Sequence, residues 1–188
     1  MTFYLNFLST GIFTIIVLLV TTIKFTLHKY HKMKKSYTDL DYSLLDVSEE
    51  IVSVINSINS FASLHDIKIK YLSTLEDHLF VKGNRTQFRQ AILNLMNNGI
   101  VVCQNGVIEI AVHEMMSCIL IVIEDNGIGM TQEQLGSLGS SLRSNQKRGT
   151  PPEVVVSYNI IHSMSGKVKV ESEQGKGTIF SIMIPKAS

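Results

Sequence analysis

The sequence has almost no excess charge of either sign and very little cysteine. Its 17 Lys and Arg residues nearly balance its 16 Asp and Glu residues, so the formal net charge is +1. This balance argues against a nucleic-acid-binding surface built on bulk positive charge. The two cysteines, Cys103 and Cys118, lack the spacing of a metal site, and we expect both to be small buried apolar side chains.

Charged residues are also absent from the first part of the chain, Met1–Ile23. As a helix this segment would be about 35 Å long, enough to cross a hydrocarbon core of about 30 Å. A cleaved signal peptide is disfavoured because the segment has no basic start and no small-residue cleavage site. Five lysines then precede the first acidic residue, Asp39: Lys24, Lys29, Lys32, Lys34 and Lys35.

This distribution predicts a single-pass protein of the cell membrane with its C-terminal part in the cytoplasm. We assign 1–23 to a transmembrane helix, 24–43 to a basic juxtamembrane linker and 44–188 to a folded domain. The alternative for the first segment is a hydrophobic helix that docks on the domain.

Apolar periodicity over 44–188 predicts an α+β domain. A helical stripe runs from Ser48 to about Leu64, with Asp46 or Ser48 as its N-cap. The other predicted elements are helices from Thr86 to the turn at 104–106 and from Val154 to Met164, strands at 67–72, 79–81, 107–114, 117–124, 167–172 and 178–184, and a turn at Gly83-Asn84. We predict a two-layer α/β sandwich in which helices cover one face of a mixed sheet.

The domain is organised around the stretch Ile121–Met130. An apolar run of strand-forming residues ends there in Asp125, and Gly127 and Gly129 follow at once. A strand would hold the Asp125 carboxylate at a fixed point, and the two glycines would let the backbone pass close to a bulky group.

Two further motifs accompany this stretch. Upstream, Asn94 and Asn98 lie four residues apart and therefore on one face of the predicted helix. Downstream, residues 175–180 (Gly-Lys-Gly-Thr-Ile-Phe) lead into the last strand. In this order and spacing, the three motifs resemble the ATP-binding domain of sensor histidine kinases, within the wider family of gyrase, heat-shock protein 90 and mismatch-repair ATPases. The resemblance covers roughly Leu44 to Pro185.

The resemblance implies a nucleotide site and two cofactors, ATP and Mg²⁺. In the family, the Asp at position 125 accepts from the adenine amino group, and the neighbouring glycines keep the ring slot open. Asn98 would ligate the magnesium ion, which needs few protein oxygens because it keeps several waters, and Asn94 would lie over the phosphates. The alternative is that both asparagines merely cap or cover a surface. The implied nucleotide-binding residues are Asn94, Asn98, Asp125, Gly127, Gly129 and Thr178.

The chain departs from the family at residues 149–154, which read Gly-Thr-Pro-Pro-Glu-Val in place of Gly-Thr-Gly-Leu-Gly-Leu. In the family, N–H groups of this segment receive the phosphates at a helix N-terminus. Proline has no N–H, and Thr150-x-x-Glu153 fits a capping box with Pro151 at the first helical position. The next residues, 156–161, match sporulation-type kinases, so the glycines are replaced without a deletion. We therefore expect ATP and Mg²⁺ binding to be weakened or lost.

The segment before this departure, 138–148, is predicted to be a polar, flexible lid. A Phe that the family carries at Leu142 is absent. Its basic residues, Arg143, Lys147 and Arg148, could attract phosphates or could simply form a solvated basic loop.

No phosphoacceptor is expected in this chain. A sensor kinase needs a dimerisation hairpin of two long helices, on the order of 60 residues, and the 24–43 linker has no room for it. None of the six histidines stands in the acceptor pattern of His, an acidic residue, Arg and Pro; His65 precedes Asp66 without the Arg and Pro. We therefore predict no catalytic residue.

Two functions follow from the resemblance. The first is a membrane-anchored, degenerate regulator or pseudokinase of two-component signalling, which binds a sensor kinase or a response regulator. The alternative is an active ATP-dependent kinase that phosphorylates a His or Ser on another chain. A third class, gyrase-like or chaperone-like ATPases, is disfavoured because such an ATPase would need a following transducer domain.

Overall fold

The computed structural model describes residues 42–73, 78–103, 106–144 and 151–187. The predicted transmembrane helix over 1–23 and almost all of the predicted 24–43 linker lie outside these residues. Within the described ranges, no helix is long and apolar enough to cross a membrane.

Helices and strands alternate irregularly along the chain. In order, the elements are β1 (Tyr42–Asp46), α1 (Val47–Leu64), β2 (Lys68–Ser73), β3 (Phe80–Asn84), α2 (Arg85–Val102), β4 (Val107–Glu114), β5 (Cys118–Asp125), α3 (Gln132–Ser144), α4 (Pro152–Ser163), β6 (Lys167–Glu173) and β7 (Gly177–Pro185).

The described strands form one five-stranded sheet and one small ribbon. The sheet has the order β2-β4-β5-β7-β6, with β2 parallel to β4 and all other neighbours antiparallel. The parallel pair makes the sheet mixed, as predicted. The ribbon pairs β1 with β3 antiparallel, and Leu45 lies opposite Val81.

The helices pack on one face of the sheet. On β5, Ile119, Ile121 and Ile123 are fully or almost fully buried, whereas the side chains between them are half-buried or exposed. The buried face meets the apolar side of α2, and each fully buried residue of this size contributes about 1.5–3 kcal/mol. The predicted α+β fold with a mixed sheet is thus confirmed. Cys103 is buried as expected, but Cys118 is only half-buried because it points to the opposite face.

The first helix is held at its start by two charged groups. Asp46 accepts hydrogen bonds from the N–H groups of Ser48 (3.0 Å) and Glu49 (3.2 Å), so it is the predicted N-cap. One turn on, the fully buried Glu50 lies 2.9 Å from Arg85 Nε and 2.5 Å from Arg89 Nε. These ion pairs join α1 to the start of α2.

The predicted turn at Gly83-Asn84 is wrong, because β3 runs directly into α2. Asn84 caps the helix, and its Oδ1 accepts from Gln87 N at 2.9 Å. Gly83 belongs to this strand, and the position favours glycine because a Cβ there would lie 2.5 Å from Met164 Cε. The ribbon strand β1 was not predicted either, and it takes Tyr42 and Ser43 from the predicted linker.

The first part of the predicted lid is a helix and not a flexible loop. Thr131 and Gln134 exchange hydrogen bonds of 2.8 and 3.2 Å at the start of α3, and Leu138 is buried in the middle of it. The sequence pattern did not predict this helix because it contains Gly136 and Gly139, and a glycine in a helix interior is less favourable than alanine by about 1 kcal/mol. The rest of the predicted lid, 145–148 with Lys147 and Arg148, lies outside the described residues.

Candidate functional site

A pocket of about 210 Å³ opens between α2, the turn after β5, α3, the start of α4 and the start of β7. Three of the predicted nucleotide-binding residues line it: Asn98, Gly129 and Thr178. Most of the remaining wall is apolar, as expected for a site that holds a flat ring. The other lining residues are Val102, Ile128, Met130, Gln134, Leu138, Pro151, Val154 and Phe180.

Asp125 lies at the end of β5, directly opposite Thr178 on β7, and is 4% exposed. Burial raises the pKa of its carboxyl above the ordinary value of 3.8, although backbone hydrogen bonds from Gly127 and Thr178 oppose that rise. Its Oδ1 accepts from Gly127 N at 2.9 Å. The carboxylate is therefore fixed beside the pocket wall by its own turn, as an acceptor of defined direction.

The glycines after Asp125 pack against backbone. A Cβ at Gly127 would come within 2.9 Å of Val102 O at the end of α2. Gly129 has φ of +64°, and a Cβ there would overlap the carbonyl of Glu173. Gly177, which was not among the predicted site residues, has φ of +107° and faces the carbonyl of Asp125 in the same way. The turn after β5 is thus wedged between α2 and the β6–β7 turn, and only Gly129 of these three lines the pocket.

The two asparagines of α2 have different surroundings. Asn98 is half-buried and lines the pocket. Asn94 is buried, accepts from Gln90 Nε2 at 2.6 Å, and donates through Nδ2 to the carbonyl of Glu153 at 3.4 Å. It is not among the lining residues, so its contact with phosphates stays a prediction, and its observed bonds join α2 to α4.

The start of α4 offers few donors to the pocket. The helix begins at Pro152, which has no N–H. The N–H groups of Val154 and Val155 point to the carbonyl of Pro151, at 3.1 and 3.4 Å. Pro151 lines the pocket, whereas Glu153 is exposed.

The predicted capping box is wrong at this helix. The N-cap is Pro151, with no side-chain capping bond, and the first helical residue is Pro152. The reason is steric, because a residue that precedes proline is pushed out of the helical region and Pro151 precedes Pro152. Thr150 lies outside the described residues.

A comparison with protein families identifies the family to which the fold belongs. The profile of the family described as histidine kinase-, DNA gyrase B- and HSP90-like ATPases matches residues 83–188, more than half of the chain. The chain belongs to this family. The match includes α2, the turn after β5, α3, α4 and β7, which are the elements that enclose the pocket.

Among curated relatives, this ATPase domain is similar to sporulation kinases of Bacillus subtilis (strain 168). It is 32% identical to sporulation kinase E over 146 residues, which cover 77% of this chain and 20% of the kinase. It is 29% identical to sporulation kinase C over 143 residues, which cover 76% of this chain and 33% of that kinase. The chain thus matches only a fifth to a third of the length of these kinases.

Solved structures of histidine kinases share the fold. The catalytic domain of histidine kinase ThkA superposes with a TM-score of 0.65 at 24% identity, covering 77% of this chain and 95% of that domain. ThkA in complex with the response regulator TrrA gives a TM-score of 0.64 at 20% identity, covering 88% of this chain and 49% of that one.

Sequence reasoning missed most of the apolar wall of this pocket. Gln134 and Leu138 reach it from α3, a helix that was not predicted. The spacing of Leu135, Leu138 and Leu142 was the available signal, since it places three leucines on one helical face.

Proposed function

We propose that this chain is a membrane-anchored, histidine-kinase-like ATP-binding protein of two-component signalling that acts by binding other proteins and does not itself transfer phosphate. One observation carries the proposal, namely the closed first turn of α4. Pro151 and Pro152 have no N–H, and the N–H group of Val154 is directed at Pro151 O. A phosphate at this helix start would therefore find fewer backbone donors than a helix N-terminus ordinarily offers.

The side of the pocket that would receive adenine has more of the groups that its ligand needs than the side that would receive the phosphates. Asp125 is buried and held by its own turn, and Thr178 beside it reaches the pocket. A fixed acceptor next to an apolar slot suits an aromatic ring with an exocyclic amino group. This arrangement supports a pocket that still binds the adenine base, although it offers the phosphates fewer backbone N–H donors.

The pocket also suits magnesium, although it offers the ion only one side-chain oxygen that we can assign. Asn98 would supply one amide oxygen, and water and phosphate oxygens would complete the octahedron that Mg²⁺ requires. Among the described residues, no group of three or more His, Cys, Asp or Glu side chains could hold a metal ion. When bound, Mg²⁺ would neutralise phosphate charge, and its hold on this chain would depend on the nucleotide.

The partners follow from the relatives. The similar curated proteins are named sporulation kinases, and ThkA has been solved with the response regulator TrrA. These relationships support a sensor kinase or a response regulator as the partner of this chain. The charge-free Met1–Ile23 and the lysines after it support a cell-membrane location with the ATPase domain in the cytoplasm.

A second candidate is a kinase that phosphorylates a His or Ser of another chain. The position of Asn98 in the pocket wall and of Asp125 behind it favours this alternative. Both candidates share the adenine site and differ in what the phosphate end can do.

A transfer assay separates the two candidates. The full chain in detergent is incubated with γ-labelled ATP and Mg²⁺, alone and together with an intact sporulation-type kinase or its response regulator. We expect no transfer of label that depends on this chain. Label that appears on an added protein only when this chain is present, and disappears with Asp125→Asn, would replace the first candidate by the second. Acid lability of the label would then distinguish His from Ser.

A further inference from the structure

The end of the domain opposite the pocket is defined by the strand directions. β5 reaches the pocket at Asp125, which pairs with Thr178, and begins at Cys118, which pairs with Pro185. The β4–β5 turn over 115–117 therefore lies at the other end of the sheet, the length of an eight-residue strand from the pocket.

The last described residues join this turn to the β1–β3 ribbon. Lys186 N donates to Ser117 O at 3.2 Å, and Ala187 N donates to Phe80 O at 2.7 Å. Because the two donors are consecutive, the β4–β5 turn and the start of β3 are neighbours. Tyr42 belongs to the same end, since its hydroxyl donates to Ser163 O at the last residue of α4, and α4 begins at the pocket.

Five large apolar side chains are exposed on this end of the domain. We call this set the apolar end, and its members with their exposed fractions are Tyr42 47%, Leu44 56%, Phe80 42%, Met115 48% and Met116 101%. On the ribbon, Leu44 and Phe80 alternate with the buried Leu45 and Val81, so they point outward. Scattered exposed apolar residues need no explanation, but a group on one end of a domain marks an interaction surface.

The sequence indicates what meets this surface. The apolar end contains Tyr42, and the residue before it ends the segment Met1–Asp41, with its charge-free stretch and its lysines. Tyrosine, methionine, leucine and phenylalanine beside basic residues are the side chains that insert at a membrane interface. The neighbouring carboxylates do not oppose this, since Asp46 is hydrogen-bonded to His78 and to its own helix start, and Glu114 is ion-paired with Lys186.

We infer that the apolar end rests in the headgroup region of an anionic phospholipid bilayer. The pocket then faces away from the membrane, where a soluble partner reaches it. This inference rests on the membrane anchoring in the proposed function and is independent of nucleotide binding.

The absence of tryptophan from the chain gives a direct test. Met116→Trp places a single reporter on a fully exposed position of the apolar end. Leu64→Trp is the matched control, because Leu64 is also exposed, at 82%, but lies at the other end of the domain. It ends α1 just before β2, and β2 starts beside Val107 at the pocket end of the sheet. The full chain is reconstituted in phosphatidylcholine–phosphatidylglycerol vesicles with brominated acyl chains, which quench tryptophan only on contact with the bilayer.

We expect Met116→Trp to lose more than about half of its fluorescence in these vesicles and Leu64→Trp to be unchanged, because contact quenching reports only groups inserted at the membrane interface. Flotation with the vesicles reports the anchoring separately. A chain that floats while its Met116→Trp reporter is unquenched would overturn the inference and leave the anchoring intact. Equal quenching of both reporters would also overturn it, and a chain that fails to float would remove the anchoring as well. Protection from aqueous acrylamide without quenching by lipid would also overturn the inference and would place a second copy of this chain on the apolar end.

Discussion

The side-chain amide of Asn94 donates to the backbone carbonyl of Glu153 at 3.4 Å, and this bond joins the middle of α2 to the first turn of α4. Ser157 Oγ donates to the same carbonyl at 2.8 Å and lies 3.1 Å from Ala91 O, so a second side chain crosses between the same helices. The start of α4 is thus held against α2 by bonds that involve no ligand.

This arrangement predicts that Asn94 supports stability and that Asn98 supports ligand binding. Asn94→Ala would remove both hydrogen bonds of this buried amide, from Gln90 Nε2 at 2.6 Å and to Glu153 O, and lower the free energy of unfolding by about 1–3 kcal/mol. We expect its effect on ATP affinity to be less than about threefold, which corresponds to under about 0.7 kcal/mol. Chemical unfolding and calorimetric titration of the same sample measure the two quantities.

Asn98→Ala is the matched comparison for Asn94→Ala. It should leave the free energy of unfolding within about 0.5 kcal/mol, because Asn98 is only half-buried in the pocket wall. It should also remove whatever increase in ATP affinity Mg²⁺ provides. The reverse pattern, with Asn94 controlling affinity and Asn98 stability, would contradict these roles.

Restoring donors at α4 should raise affinity for ATP alone. Pro152→Ala with Glu153→Gly returns one N–H and removes a carboxylate from the helix start. A charge-assisted hydrogen bond contributes about 1.5–3 kcal/mol, so ATP affinity should rise about tenfold or more. Adenosine affinity should not change, because adenosine has no phosphate. Val156→Ala, on the exposed side of the same helix, serves as the control. An equal rise for adenosine and ATP would point to a general effect on the fold.

The pair of arginines around Glu50 should matter for stability more than for binding. Arg85→Ala with Arg89→Ala would leave the fully buried Glu50 carboxylate without the two guanidinium groups whose Nε atoms lie 2.9 and 2.5 Å from it. Breaking a buried pair from one side costs about 3–5 kcal/mol. Glu49→Ala, at an exposed position of the same turn, should cost no more than about 1 kcal/mol. Urea unfolding of both variants checks this, and similar costs for the two would show that burial of Glu50 is unimportant.

The raised pKa of Asp125 predicts a pH dependence of opposite sign to that of a salt-bridged acid. The folded chain holds the proton more tightly than the unfolded chain, whose carboxyl titrates near 3.8. The contribution of Asp125 to stability is therefore fully present below pH 3.8 and is lost as the pH rises through the raised pKa. The stability of Asp125→Asn relative to the native chain should accordingly increase with pH across that window. Unfolding curves of both proteins over the window measure the difference, and a constant or falling difference would contradict the burial of this carboxyl.

The sheet was predictable because its signals are local. Alternation of apolar and polar residues over 107–114 and 117–124 marks two strands whose buried sides are read directly from the sequence. The position of Asp125 at a strand end follows from the same pattern and from the glycines after it. These features need no knowledge of the rest of the chain.

The parts that failed depend on distant or competing interactions. The partner of Asn94 lies 59 residues away, so no local pattern could assign its bond to Glu153. The helix α3 is concealed by Gly136 and Gly139, whose low propensity is overcome by burial of Leu138. The predicted capping box matched its pattern but ignored the restriction that Pro152 places on Pro151.

A calorimetric titration of the full chain in detergent with ATP and adenosine, each with and without Mg²⁺, tests the central claim most directly. The claim is that the pocket retains its adenine contacts and has a reduced phosphate end. It predicts dissociation constants for ATP and adenosine within about tenfold of each other, a difference of under about 1.4 kcal/mol, and little effect of Mg²⁺. Asp125→Asn should weaken both ligands alike. ATP binding that needs Mg²⁺ and is about a hundredfold tighter than adenosine binding would contradict the account, because the phosphates would then supply about 2.7 kcal/mol. If neither ATP nor adenosine bound, the claim that the pocket retains its adenine contacts would be wrong.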